Sequence, residues 1–72
     1  MPSRFRKPMV MEITGFDSQG MYVGSADWSF ALSNWKCRTA NAAYECQHEH
    51  EARDWLRSQG AVKLRDSDGR KY

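Results

Sequence analysis

Apolar and polar residues alternate along much of this chain and change to a helical period near residue 49. Ala52, Trp55 and Leu56 recur at i, i+3 and i+4, which puts them on one side of an α-helix, while Glu49, Arg53, Asp54 and Arg57 fall elsewhere. Glu49 and Glu51 in the first turn and Arg57 in the last suit the helix dipole, and Glu49 with Arg53 forms a well-oriented i, i+4 pair. Gly60 follows where the backbone must turn left-handed, so the helix ends there and the chain returns. Trp55 and Leu56 are the residues this pattern assigns to the core.

Upstream, Met9, Met11 and Ile13 alternate with Val10, Glu12 and Thr14, the period of a strand with one buried face. Asp17-Ser18-Gln19-Gly20 reads as a type I turn with a glycine able to take positive φ, and Met21-Tyr22-Val23 as a second, antiparallel strand. Gly24-Ser25-Ala26-Asp27 breaks the pattern. Beyond it two periods compete: Trp28, Phe30 and Leu32 alternate as in a strand, whereas Trp28, Ala31, Leu32 and Trp35 have helical spacing behind a Ser25 or Asp27 cap. The strand reading is preferred, because Ser33-Asn34 and Asn41 are natural turn residues and Trp35, Cys37 and Thr39 alternate against Lys36 and Arg38. Tyr44 and Cys46 lead into the helix as a short strand, and Val62 with Leu64 makes a last one. The predicted fold is α+β: a small antiparallel sheet of four or five short strands with one α-helix packed on one face. It spans 9–65 as a single domain, between a flexible basic arm at 1–8 and a flexible tail at 66–72.

Composition narrows the function classes. Seventy-two residues with three Trp, three Tyr and three Phe supply a small core but leave no room for a cleft that encloses a substrate. The net charge of +2 is unevenly spread. Arg4, Arg6 and Lys7 precede residue 9, Lys63, Arg65, Arg70 and Lys71 follow residue 60, and the body between is mildly acidic. Two cysteines are too few for a disulfide scaffold, so Cys37 and Cys46 are expected to be free thiols in a reducing cytoplasm. No run approaches the roughly 18 apolar residues that a membrane span needs, so no membrane association is expected.

Candidate chemistry is sparse. Cys46, His48 and His50 with Cys37 form a set that could ligate zinc, but zinc modules pair ligands on a knuckle, and here a helix beginning near His48 would scatter them. Two residues apart on a helix, His48 and His50 would diverge by about 200°. A Cys–His nucleophile has nothing in the sequence to orient its base. No catalytic residue, cofactor or metal site is therefore assigned. Trp28, Phe30 or Trp35 could stack a base beside Lys36 and Arg38 if they lay on an open sheet face, and the basic ends would add phosphate contacts. Trp28, Phe30, Leu32 and Trp35 are also the residues a core most needs.

The layout of a strand, then HEHEARDWLRSQGA, then a strand resembles that of several small phage and mobile-element proteins, including anti-CRISPR inhibitors built as one short sheet with one helix. The resemblance covers the last third of the chain. It implies a stoichiometric inhibitor that occupies a surface on a large host nucleoprotein complex, with no cofactor. Inhibitors that imitate DNA are mostly acidic and this chain is basic, so phosphate mimicry is not implied. The expected function is that of a small non-enzymatic binding protein with a host protein or nucleoprotein partner. Direct DNA or RNA binding is the alternative, and an unpaired edge strand could also form a homodimer. The expected contacts are Arg4, Arg6, Lys36, Arg38, Arg53 and Arg57.

Overall fold

A computed structural model describes residues 11–66. The elements run β1 (Glu12–Phe16), β2 (Tyr22–Ser29), β3 (Asn34–Thr39), β4 (Ala43–Cys46), α1 (Glu49–Ser58) and β5 (Lys63–Asp66). The strands form one five-stranded antiparallel sheet in the order β4-β3-β2-β1-β5. The first four make a meander. The helix then carries the chain from one edge of the sheet to the other, so that β5 pairs with β1. This is the small α+β fold the alternation predicts, with one helix over one face.

The turns follow their local chemistry. Asp17 Oδ1 accepts from the backbone N–H groups of Gln19 and Met21 at 2.8 and 2.9 Å, and Gly20 takes φ +82° to close the loop. At the helix start, Glu51 Oε1 accepts the His48 backbone N–H at 3.1 Å, satisfying a donor that would otherwise lack a partner. The helix ends in a Schellman motif: the Ala61 N–H bonds the Leu56 carbonyl, the Gly60 N–H bonds the Arg57 carbonyl, and Gly60 has φ +110°.

Alternation divides the sheet into two faces. Ile13, Ala26, Trp35, Cys37, Cys46 and Leu64 point toward α1 and are buried with Ala52, Leu56 and Ala61. The helix lies mainly over β2, β3 and β4. That placement explains one departure from the sequence pattern. Gly24-Ser25-Ala26-Asp27 does not interrupt a strand but lies inside β2, because small residues form the floor on which α1 sits: Ala26 is fully buried, as is Ala52 of the helix. A Cβ on Gly24 would stand 2.4 Å from the Arg38 carbonyl oxygen, so the close approach of β2 to β3 also requires a glycine there.

Phe30 and Leu32 do not belong to the core. They stand in the β2–β3 turn at 59% and 57% exposure, where Ser33 adopts φ +53°. The strand period therefore ends at Ser29. Trp28 is half-buried and meets fully buried Trp35 edge-on at 5.8 Å. The last strand extends to Asp66, which is buried and takes the first position of the expected tail. The arm at 1–8 and the remainder of the tail, 67–72, lie outside the described residues.

Candidate interaction surface

The face of the sheet turned away from α1 has no second layer among the described residues, and its side chains are arranged by the strand register. One cross-strand row reads Ala43, Arg38, Ser25, Thr14, Arg65. The next row, two residues along, reads Glu45, Lys36, Asp27, Glu12. A bulge between β1 and β2 lies at the other end, where Phe16 pairs with Tyr22 and also with Lys63. By shifting the parity of β2 at Val23, the bulge turns Tyr22 onto the open face. There its hydroxyl lies 3.3 Å from Ser25 Oγ as hydrogen-bond donor.

The open face is consequently polarised. Arg38, Lys63 and Arg65 gather with Phe16 and Tyr22 toward the β1–β2 turn, and Glu12, Asp27 and Glu45 gather in the other half. The Arg65 guanidinium lies 5.8 Å from the centroid of the Phe16 ring, within range for a cation–π contact. Lys36 stands among the acids, with Nζ 3.9 Å from Glu45 Oε2, while Asn34 Nδ2 donates to Glu45 Oε1 at 3.1 Å. Arg38, Lys63 and Arg65 form no ion pair with an acid among the described residues. A hollow of about 330 Å³ lies over β2, β3 and β4, with Asp27, Lys36, Arg38, Ala43 and Glu45 around it.

The sequence-expected contact residues divide between surfaces. Lys36 and Arg38 share the open face. Arg53 and Arg57 are on α1, where Arg53 pairs with Glu49, and Arg57 Nη1 meets Asp54 Oδ1 at 3.3 Å. Arg4 and Arg6 lie outside the described residues. Sequence reasoning missed Phe16, Tyr22, Lys63 and Arg65. Arg65 and Lys63 alternate with Leu64, which is a legible signal, but the side taken by Tyr22 depends on a bulge that no residue pattern announces.

A second concavity, about 350 Å³, lies on the helix side between β4 and α1 and is lined by Tyr44, Glu51, Asp54 and Trp55. The Tyr44 and Trp55 rings stack there, 9° from parallel. Trp55 is only partly buried, so the helix's main core residue is Leu56.

The cysteines and histidines do not converge. Among the described residues no group of three or more His, Cys, Asp or Glu side chains could hold a metal ion. Cys37 and Cys46 are free thiols beneath the helix. Burial pushes the Cys37 thiol up to about 12, with the neighbouring Cys46 adding to the rise. Burial also raises Cys46, whose Sγ donates to the His48 carbonyl at 3.6 Å. Thiols held protonated are poor nucleophiles and poor ligands.

His48 and His50 are exposed and stack at 5.6 Å with planes 12° apart, instead of diverging. The reason is local. His48 is the N-cap, with φ −118° and ψ 145°, so the helical rotation expected between the two residues does not apply.

Comparison with protein-family models, with curated proteins and with solved structures finds no match to this chain. Among the described residues no helix is long and apolar enough to cross a membrane.

Proposed function

We propose that this chain is a small non-enzymatic binding protein that engages a protein or nucleoprotein complex through the face of its sheet turned away from α1. The role is that of a stoichiometric inhibitor of the phage type acting in the cytoplasm. The observation that carries this reading is the five-stranded sheet with a helix on one side and an ordered, charge-segregated array on the other. A solvated face needs no such segregation. Separated charge favours one docking orientation and disfavours others, which is how electrostatics serves specificity. The buried, protonated thiols favour binding over catalysis. Free cysteines also suit a reducing compartment.

The test is affinity capture from host extract with the full chain and with an Arg38→Glu/Arg65→Glu variant, each run with and without nuclease. Both residues are exposed and form no ion pair among the described residues, so the variant should fold normally. The reading requires the same species to be captured by the wild type and lost by the variant. Equal capture by both would place the contact elsewhere.

A further inference from the structure

We infer that the basic half of the open face is a track for single-stranded nucleic acid, running across the strands from Arg38 to Arg65. This deepens the binding reading above and rests on it, since it names the chemistry that the same face takes.

Arg38 on β3 and Arg65 on β5 occupy one cross-strand row, separated by Ser25 and Thr14. Three inter-strand steps put their backbones about 14 Å apart. Between two cations without acid partners lies a floor of small hydroxyl residues, which admits a sugar–phosphate backbone and can hydrogen-bond it. Lys63 adds a third cation next to Phe16.

Two rings flank this row on the side of the β1–β2 turn. Tyr22 is 61% exposed, and Phe16 pairs with it in the adjoining strand. Aromatic faces beside a cationic groove suit unpaired bases, which can stack on them, whereas the bases of a duplex are already stacked on each other. An acidic peptide could satisfy the cations but would leave the rings unused. On the opposite side Glu12, Asp27 and Glu45 share a row with Lys36, which pairs with Glu45, so that row keeps a net negative charge that disfavours phosphate beyond the basic row.

The indoles that could have served as base platforms are turned the other way. Trp35 is buried beneath α1 and Trp28 packs on its edge. Stacking at this face therefore falls to Tyr22 and Phe16.

The experiment is fluorescence anisotropy of the full chain with fluorescein-labelled single-stranded dT12 and U12, a labelled 12-base-pair duplex and a labelled twelve-residue polyglutamate. With three cations on the track, raising salt from 50 to 200 mM should weaken single-strand binding about 20-fold. Arg38→Glu/Arg65→Glu should weaken it by more than about tenfold while keeping Arg4, Arg6, Lys7, Arg70 and Lys71 at the chain's two ends, and Tyr22→Ala should weaken it about fivefold or more. Circular dichroism and a thermal melt establish that each variant is folded. If Arg38→Glu/Arg65→Glu fails to fold, Lys63→Glu and Tyr22→Ala carry the same test.

Absence of single-strand binding at 50 mM salt would overturn the inference, as would equal binding of the duplex or of polyglutamate. Binding unchanged in the folded variants would overturn it too, by placing the contact on the chain ends. If no oligonucleotide binds yet Arg38→Glu/Arg65→Glu still loses a captured partner, the face is a protein interface. The proposed function then stands without this inference.

Discussion

The Trp55 indole lies flat against the Tyr44 ring, centroids 5.7 Å apart and planes 9° from parallel. The largest side chain of the helix therefore closes the edge of the core beside β4, and Leu56, fully buried, fills its centre. Leu56→Ala should cost about 2–5 kcal/mol, because it leaves a cavity that the small residues around it cannot collapse to fill. Trp55→Ala leaves an opening to solvent and should cost less, about 1–3 kcal/mol. Urea melts of the two variants check the order. A larger loss at Trp55 would mean that the indole is deeper than this packing gives it.

Gly24 carries the second prediction. Its added Cβ would stand 2.4 Å from the Arg38 carbonyl oxygen and 2.7 Å from Thr39 Cγ2, so β2 and β3 would have to separate. Gly24→Ala should lose about 3 kcal/mol or more, a large fraction of what a domain this small possesses. Gly20→Ala meets nothing within 4 Å and is penalised only by its positive φ, about 1–2 kcal/mol. Thermal melts that reversed this order would show that the sheet can yield at the β2–β3 pair.

The third prediction concerns pH. The Cys37 thiol is pushed from its ordinary value of 9.0 up to about 12 in the folded chain. The unfolded chain therefore loses this proton first as pH rises. The stabilising contribution is complete below about pH 9 and is lost progressively as pH approaches 12. Wild type should lose stability over that window, and Cys37→Ala should lose less. Denaturant midpoints measured at intervals from pH 8 to about 11 supply the comparison. Alkylation by iodoacetamide at pH 8 should be slow for both cysteines until denaturant is added.

Charge reversals on the helix and on the sheet should behave differently. Arg53 is half-buried and paired with Glu49. Arg53→Glu sets two acids at i, i+4 and should cost about 1 kcal/mol. Arg57→Glu, exposed but paired with Asp54 in the last turn of the helix, should cost about 0.5–1 kcal/mol, whereas Arg38→Glu, exposed and without an ion pair among the described residues, should change stability by about 0.5 kcal/mol or less. A loss of binding in Arg53→Glu must therefore be judged against its melt, whereas a loss in Arg38→Glu reports on the surface itself.

Much of the architecture was legible because it rests on local signals. The apolar triad Ala52, Trp55, Leu56 and the stop at Gly60 gave the helix, and Trp35, Cys37 and Thr39 gave β3 its inward face. Reading failed where a distant element decides. Gly24 to Asp27 resembles a loop until α1 is placed on Ala26, since only then do small residues become packing surface. Phe30 and Leu32 kept the strand period past the strand's end, because alternation says nothing about where a turn with Ser33 at positive φ will start. The candidate surface was half visible. Lys36 and Arg38 were recognised, but joining them to Lys63, Arg65 and Tyr22 required the strand order, which puts β5 beside β1, and the bulge at β2.

The most direct measurement uses the arginine side chains as reporters, because they stand on opposite sides of the molecule. In a titration of 15N-labelled full chain with U12, the Nε–Hε signals of Arg38 and Arg65, on the open face, should shift. Those of Arg53 and Arg57, on α1, should stay in place. Shifts gathered on Arg53 and Arg57 while Arg38 and Arg65 remain still would contradict the assignment of the sheet face opposite α1 as the working surface.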